Sequence, residues 1–263
     1  MKKISLDEMK QIQIDMLDQL AAYCDAHHLR YFLAYGTLIG AIRHKGFIPW
    51  DDDIDVAMPR EDYEKFIANF YMDGYKVVTP YNDPNYLYPF AKMFNSKTRV
   101  YEHTDIDMGL GVYVDIFPID YIPSQSIQMY CRKRKWLEFV MTCKMAEKER
   151  DRSFCKKAII VIFRKLFKQV NLNKIAKKID VMSKQYKRDS SDRAGNLVMW
   201  GYGAREIVQK ELFDEYTCRT FEGRDYCVPQ RYHDYLTAVY GDYMKLPPEE
   251  KRVLRHDVEA YWV

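Results

Sequence analysis

Apolar side chains recur at helical spacing near the start of the chain, at Met9, Ile12, Met16, Leu20 and Cys24. Intervals of three and four residues place such side chains on one face of a helix. Just ahead of them, Ser5 and Glu8 have the S-x-x-E spacing of a capping box, in which each residue satisfies a backbone N–H group of the other. The pattern therefore predicts an amphipathic helix that begins after Ser5.

Short apolar runs separated by turn residues follow this helix. The run RYFLAY at 30–35 predicts a strand, and GTLIGAIRHKG predicts a brief helix with Thr37 as its candidate cap and Gly46 at its end. IDVAM predicts a second strand that Pro59 stops, and PREDYEKFIANFY predicts a helix that starts at this proline. Three further short strands are predicted from YKVVTP, LYPFAKMF and TRVYE.

The segment GVYVDIFPID at 111–120 is apolar on both faces apart from Asp115, which is typical of a central strand. A lone acid in that position needs a partner. The pattern then becomes helical and basic up to about residue 188, and a hairpin (YTCRTFEGRDYCVP) and a helix (RYHDYLTAVYG) finish the fold. We predict one mixed α+β core formed by residues 1–124 and 190–263, with a basic helical insertion at 125–189.

The charge distribution sets this insertion apart. The 263 residues carry a net charge of +3, but 131–188 hold 19 Lys/Arg against 5 Asp/Glu, so this segment is +14 and the remainder −11. No RRM, zinc-finger or recognition-helix pattern accompanies the positive charge, so nucleic acid is not an expected partner.

One stretch of the insertion has an apolar stripe with Lys157, Arg164 and Lys168 on the other side; the stripe consists of Ile159, Ile162, Phe163, Leu166, Phe167 and Val170. A helix with one apolar and one basic face is typical of an anionic membrane surface. The alternative is a helix whose stripe packs on the core.

The first residues lack a long apolar run and a small-residue cleavage pattern, and no window approaches the roughly 18 apolar residues of a spanning helix. The six cysteines form no C-x-x-C pair and no zinc-like spacing with histidine, so we expect reduced thiols. These features predict a cytoplasmic protein that is peripheral at the inner face of the cell membrane.

Four carboxylates fall within five positions in WDDDID, at Asp51, Asp52, Asp53 and Asp55. A calcium-binding EF-hand loop is excluded, because its position 6 requires glycine where this chain has Val56, and position 12 is an aspartate rather than a glutamate. Side chains two apart on a strand face the same side. Asp53 and Asp55 are therefore expected to project together, while Asp51 and Asp52 are expected to be supporting or solvated groups.

A third carboxylate from another central strand, Asp115, would complete a site for Mg²⁺, which prefers oxygen ligands. Two such ions about 3.5 to 4 Å apart can hold the attacking and leaving oxygens of a displacement at phosphorus. The alternative is a solvated, acidic start of the strand, with Asp115 hydrogen-bonded in the core.

Three blocks carry a resemblance to a known family: YGTLIGAIRHKGFIPWDDDIDVAMPREDYEKF at 35–66, GVYVDIFPID, and FEGRDYCVPQRYHDYLTAVYGDYMKLPPEEKR at 221–252. Together they resemble the LicD family of phosphocholine transferases, distant relatives of the fukutin-type ribitol-phosphate transferases. The resemblance implies a nucleotidyltransferase (polymerase-β-like) fold. It also implies Gly36 and Thr37 as the turn on the phosphate side, and Asp53, Asp55 and Asp115 as ligands of one or two Mg²⁺ ions, for which Mn²⁺ would substitute.

The activity implied by the resemblance is transfer of phosphocholine from CDP-choline to a sugar hydroxyl of a lipid-linked, cell-surface glycopolymer such as teichoic acid or lipopolysaccharide, with release of CMP. Positioning and charge neutralisation would supply most of the catalysis, and Asp115 is the expected acceptor of the hydroxyl proton. The alternatives are a glycerol- or ribitol-phosphate donor, a nucleotidyltransferase, and a membrane-bound assembly subunit. A nucleotide-sugar glycosyltransferase is disfavoured by the Gly-Thr turn and the third acid.

Gly36 and Thr37 also have a physical argument of their own, because glycine lets a backbone approach a phosphate and a helix N-terminus offers N–H groups to it. Arg43, His44 and Lys45 would add charge-assisted contacts or, alternatively, form a solvated helix end.

Further substrate-binding candidates follow from the chemistry of the donor. A quaternary ammonium is held by aromatic faces, which makes Trp50, Trp200 and Tyr202 candidates for choline, with core packing as the alternative. Asp52 is a candidate beside the acids. His256 is placed near the acceptor or the nucleotide, together with Arg252 and Arg255.

Overall fold

The computed structural model describes residues 1–102, 106–145, 162–163, 165–199, 201–254 and 258–263, and in these ranges the chain forms six α-helices and twelve β-strands. The helices are α1 (Leu6–Ala26), α2 (Tyr35–Arg43), α3 (Arg60–Asn69), α4 (Ile127–Met145), α5 (Leu172–Ser183) and α6 (Tyr232–Tyr240). The strands are β1 (Lys2–Ile4), β2 (Phe32–Leu33), β3 (Asp55–Pro59), β4 (Tyr75–Val78), β5 (Ala91–Asn95), β6 (Thr98–Glu102), β7 (Tyr113–Ile122), β8 (Arg193–Gly195), β9 (Val208–Gln209), β10 (Tyr216–Phe221), β11 (Arg224–Pro229) and β12 (Val258–Trp262). The predicted mixed α+β class is confirmed, and the nucleotidyltransferase fold stays a prediction.

The main sheet has the strand order β2-β3-β7-β5-β4, and β8 and β9 extend it from the far end of β7. The pair β3 and β7 is parallel, whereas β7 runs antiparallel to β5. Strand β7 is central and mostly buried, as its continuous apolar pattern predicts. Two smaller sheets accompany it: β1-β12-β6 and the hairpin β10-β11.

Helix α1 confirms the predicted capping box. The Glu8 N–H donates to the Ser5 hydroxyl at 3.2 Å, and the Ser5 N–H donates to the Glu8 carboxylate at 2.9 Å. The apolar stripe of the helix is buried in the main core, with Met16 and Leu20 fully enclosed. Each such side chain contributes about 1.5 to 3 kcal/mol on burial, so packing on the sheet holds this helix more than the cap does.

The region before β3 differs from the prediction in its boundaries. The strand predicted at 30–35 is limited to β2, and α2 already begins at Tyr35, with Ala34 as its N-cap, and ends at Arg43. The prediction that Thr37 caps this helix is wrong. Its hydroxyl accepts the backbone N–H of Asp55 at 2.9 Å, which ties the helix to β3.

The predicted hairpin of β10 and β11 is confirmed. Its two turn residues, Glu222 and Gly223, have φ angles of +49° and +77°, as a type I′ turn requires. The tip docks on the loop after α2, because the Glu222 N–H donates to the Lys45 carbonyl and its carboxylate accepts the Phe47 N–H, both at 2.9 Å. This contact holds the loop that leads into the acidic stretch.

A buried ion-pair network attaches α5 to the main sheet. The Arg60 guanidinium, 8% exposed, donates to both carboxylate oxygens of Asp120 on β7 at 2.6 and 2.7 Å, and to Asp180 on α5 at 2.8 Å. The Asn173 amide donates to three backbone carbonyls of the 80–86 loop. Helix α5, from the segment predicted as a basic insertion, is therefore packed on the core.

The stripe predicted for membrane contact is described only in part. Phe167 and Val170 pack against the core, whereas Ile162 and Leu166 are exposed. Lys157, Ile159 and Arg164 lie outside the described residues, so membrane contact through this stripe stays a prediction. In the part of the chain that the structure describes, each helix is too short or too polar to cross a bilayer.

Replacing Arg60 by methionine is expected to lower the free energy of unfolding by about 3 to 5 kcal/mol, because it leaves the buried Asp120 carboxylate without its cation and leaves Asp180 with Lys184 alone. Urea titration followed by circular dichroism measures this loss. The control is Arg231→Ala, which breaks a half-exposed pair with Asp234 and should cost less than about 1 kcal/mol. A methionine variant within 1 kcal/mol of the parent would contradict the role of the network.

Candidate active site

Three charged residues form a row across the centre of the main sheet. Asp55 on β3 is the direct partner of Asp115 on β7, and Asp115 is in turn the direct partner of Lys92 on β5. Residues opposite each other on neighbouring strands share a face of the sheet, with Cβ atoms about 4.5 to 5.5 Å apart. The side chains of Asp55, Asp115 and Lys92 therefore follow one another in this order on one face of the sheet.

The backbone around Asp55 is held on both sides. Its N–H donates to the Thr37 hydroxyl, and its carbonyl accepts the Ala34 N–H at 2.9 Å. The Asp115 N–H donates to the Ile54 carbonyl, also at 2.9 Å. The start of β3 is thus fixed between the first turn of α2 and the neighbouring strand, which leaves the Asp55 side chain little freedom to move away from Asp115.

The Asp55 carboxyl is 9% exposed and is surrounded by other acids. Burial raises its pKa well above the ordinary value, and the carboxylates of Asp53, Asp115 and Asp51 raise it further, while the Lys92 ammonium acts in the opposite direction. The predicted alternative of a solvated acidic strand start therefore does not describe Asp55. Its ionised form needs an additional cation nearby.

The acidic loop ahead of β3 brings more carboxylates to the same place. Oxygen atoms of Asp51, Asp52 and Asp53 lie within 4.8 Å of one another. Asp52 is buried, and the other two are partly exposed. Asp53 precedes β3 rather than lying on it. The alternation of side chains along a strand, from which Asp53 and Asp55 were predicted to project together, therefore does not apply. Hard oxygen donors at this density fit Mg²⁺.

Gly36 lies against this loop. A Cβ atom at position 36 would be 2.3 Å from the Asp51 carboxylate, so a side chain there would displace the acid. From the sequence, Gly36 was predicted to let the backbone approach a phosphate. In the structure the group that approaches it is the Asp51 carboxylate, and Thr37 acts on Asp55 through its backbone.

The partner that Asp115 requires is Lys92, which the sequence argument missed. The Lys92 ammonium, 3% exposed, donates to Asp115 Oδ1 at 2.5 Å. It also lies 3.5 Å from the centroid of the Tyr113 ring. Asp115 therefore has a hydrogen-bonding partner in the core, as the alternative to a metal site predicted. It also lies beside Asp55, as the metal-site hypothesis predicted.

The predicted basic residues after α2 form a separate cluster. Arg43 donates to the Tyr243 carbonyl at 2.6 Å and, through Nε, to His44 at 2.8 Å. Burial, and then the neighbouring Arg43, lower the pKa of His44, which keeps its ring neutral at pH 7. Lys45 is exposed, with φ at +64°.

The aromatic candidates occupy different surroundings. Trp50 meets the edge of His44, and the Arg252 guanidinium lies 5.6 Å from its ring centroid, so this face already holds a cation. Tyr202 stacks on Tyr35 and contacts Tyr240. Trp200, Arg255 and His256 lie outside the described residues, and their roles stay predictions.

A second buried network borders α2, and no motif in the sequence indicated it. The Tyr35 hydroxyl donates to the Glu206 carboxylate and accepts from the Asn196 amide at 2.7 Å, and the Tyr202 N–H donates to the other Glu206 oxygen at 3.2 Å. Burial raises the pKa of Glu206 to about 7, although these hydrogen bonds and Arg134 act to lower it. The network fixes Tyr35, the first residue of α2.

A small cleft opens beside the acids, lined by Asp52, Asp53, Gln13 and Tyr113 and otherwise by apolar side chains. The Gln13 side-chain nitrogen, Nε2, donates to the Tyr113 carbonyl at 3.2 Å. The other end of the amide is therefore the oxygen, Oε1. That oxygen is buried and has no hydrogen-bonding partner within the described ranges. The cleft thus combines apolar walls with carboxylates, and Gln13, which carries the unpaired oxygen, is part of its lining.

Comparisons with known proteins identify the family to which the chain is similar. A family model described as LicD/FKTN/FKRP, nucleotidyltransferase domain, matches residues 28–159, which contain the acidic loop, Lys92 and Asp115. The lipopolysaccharide cholinephosphotransferase LicD of Haemophilus influenzae is 34% identical over 271 residues, 99% of each chain. An uncharacterized protein of Rickettsia typhi is 29% identical over 80 residues (29% of this chain, 26% of its own), and one of Rickettsia prowazekii 34% over 86 (28% and 32%).

The full-length match and the family model define the class of the protein, a transferase enzyme. Within that class, the chain belongs to the LicD family, as the three sequence blocks indicated.

The raised pKa of Glu206 predicts a pH dependence of stability. Its pKa is about 7 in the folded chain against an ordinary 4.5, so the folded state binds the proton more tightly and loses stability as the pH rises from 4.5 to 7. Glu206→Gln removes this loss, and its stability relative to the parent should grow by roughly 3 kcal/mol between pH 4.5 and pH 8. Urea unfolding at both pH values measures it, with the exposed Glu211→Gln as control. A difference independent of pH would contradict the assignment.

Proposed function

We propose that the chain transfers phosphocholine from CDP-choline to a hydroxyl group of a cell-surface glycopolymer, of the lipopolysaccharide or teichoic acid type, and releases CMP. The observation that carries the proposal is the buried row of Asp55 and Asp115 beside the acidic loop, in a chain that matches a lipopolysaccharide cholinephosphotransferase over its full length. The donor, the metal and the acceptor are parts of the proposal.

The residues that would hold Mg²⁺ are Asp53, Asp55 and Asp115. The like charges around Asp55 and its burial support this choice, since a cation is needed to keep that carboxyl ionised. When bound, the ion supplies positive charge that offsets the charge of the diphosphate as its phosphorus is attacked. Asp51 and Asp52 bring further carboxylates to the loop, and Gly36 leaves the space that Asp51 occupies.

Asp115 is proposed to accept the proton of the attacking hydroxyl. Its ion pair with Lys92 favours the ionised carboxylate, the form that a base requires, and the hydrogen bond to Oδ1 fixes its orientation. The hydroxyl itself is proposed to enter through the cleft that Gln13 lines, where the buried amide oxygen offers it an acceptor.

The nucleotide side of the donor is proposed to lie toward the cluster of Arg43, His44 and Trp50 at the end of α2. Arg43 and Arg252 provide positive charge there. A quaternary ammonium on Trp50 would have to compete with Arg252, so Tyr202 and Trp200 stay alternative choline contacts. A lipid-linked acceptor at an anionic membrane surface remains part of the proposal.

The proposal is tested by incubating the protein with Mg²⁺, a glycan acceptor and each of CDP-choline, CDP-glycerol, CDP-ribitol and a nucleotide sugar, and measuring CMP release by chromatography. CDP-choline should give the fastest release. Asp53→Ala and Asp115→Asn should reduce turnover at least about a hundredfold with the fold intact, because each removes part of the charge that holds the ion.

The matched control is Asp214→Asn, which alters an exposed ion pair with Arg188 and should leave turnover within about twofold. Release from none of the CDP-alcohols contradicts the proposal. Release from CDP-ribitol or CDP-glycerol alone would favour the alternative donors, and transfer of the nucleoside phosphate to the acceptor would favour the nucleotidyltransferase alternative.

A further inference from the structure

Lys92 is a buried cation in contact with a proposed metal ligand, and this position raises the question of what it does there. Its ammonium donates to Asp115 Oδ1, and three aromatic rings surround it, with centroids 3.5 Å away for Tyr113, 5.2 Å for Tyr88 and 5.7 Å for Phe90. Aromatic faces stabilise an ammonium that has left water. The lysine is therefore held in a site built for a cation.

The order of the row decides where this charge acts. Asp115 stands between its two register partners, Asp55 on β3 and Lys92 on β5. Neighbouring strands are about 4.8 Å apart, so Lys92 occupies the side of Asp115 that faces away from Asp55. A carboxylate has two oxygens and about four acceptor positions, so the bond at Oδ1 leaves Asp115 able to bind an ion shared with Asp55.

Sites with two divalent ions use a carboxylate to bridge ions about 3.5 to 4 Å apart. A second ion on Asp115 would have to occupy the space next to the Lys92 ammonium. At an effective dielectric constant of about 20, a positive charge this close lowers the affinity for a dication by several powers of ten. An ammonium buried at Asp115 and a second ion on Asp115 therefore exclude each other.

We infer that Lys92 takes the place of a second metal ion on Asp115, so that the facing pair of Asp55 and Asp115 holds one divalent cation and the lysine is a positioning residue that acts through Asp115. This inference rests on the proposed function in that it assigns the acids to metal binding, and it goes further by fixing the number of ions and the residue that sets it.

The experiment titrates the metal-free protein with Mn²⁺ in the absence of donor, and counts sites and affinities by electron paramagnetic resonance and calorimetry. The parent should bind one ion that is lost in Asp115→Asn. Lys92→Met, which keeps the length of the side chain and removes its charge, should bind Mn²⁺ at least about tenfold more tightly and admit a second ion. Lys92→Arg keeps the charge and should retain one site with an affinity within about threefold of the parent.

The matched control is Lys184→Met. Lys184 is paired with Asp180 and Glu64 beside the Arg60 network, which lies five residues along β3 and β7 from the acids, and its loss should leave Mn²⁺ affinity within about twofold. A purely structural role for Lys92 predicts that the folded methionine variant binds Mn²⁺ with unchanged or weaker affinity, and that result overturns the inference. Two ions on the parent chain that are both lost in Asp115→Asn overturn it as well, and this measurement needs no variant of Lys92.

Failure of the inference and failure of the proposed function are separable. A parent chain that binds two Mn²⁺ ions through Asp115 and releases CMP from CDP-choline retains the function and loses the inference. A parent chain that binds one ion, with the expected response to Lys92→Met, and releases CMP from no CDP-alcohol retains the inference and loses the function.

Discussion

The parallel pairing of β3 with β7 places two aspartates directly opposite each other in the centre of the sheet, and the rest of the site depends on this constraint. Like charges in such positions destabilise a sheet. The surroundings compensate: Lys92 pairs with Asp115 from the next strand, and Thr37 holds the backbone of Asp55. The chain thus keeps repelling carboxylates together, and the proposed binding of a cation depends on this preorganised arrangement.

The register of these two strands matters because a slip by one residue would turn Asp55 to the opposite face from Asp115. Arg60 and Asp120 directly follow Pro59 and Ile119, the last pair in the register of these two strands, and they are joined by an ion pair. Arg60 follows β3 directly and grips Asp120 on β7, so it fixes their alignment. The docking of α5 on this network links the basic segment to the geometry of the acids.

Local signals in the sequence predicted the elements well, and non-local contacts account for what was missed. The capping box of α1, the apolar pattern of β7 and the hairpin of β10 and β11 are all local, and their predictions are confirmed. Nothing local marks Lys92, which looks like a polar residue in a short strand until β5 is paired with β7. Glu206 was missed for the same reason, since its burial depends on Tyr35, far away in the chain.

The central claim is that the paired aspartates of β3 and β7 bind a divalent cation. Anomalous X-ray scattering from crystals grown with Mn²⁺ tests it most directly. The account predicts a strong peak at bonding distance, about 2 Å, from carboxylate oxygens of both Asp55 and Asp115. A map in which manganese binds only elsewhere, or not at all, while those carboxylates keep their positions, would contradict it.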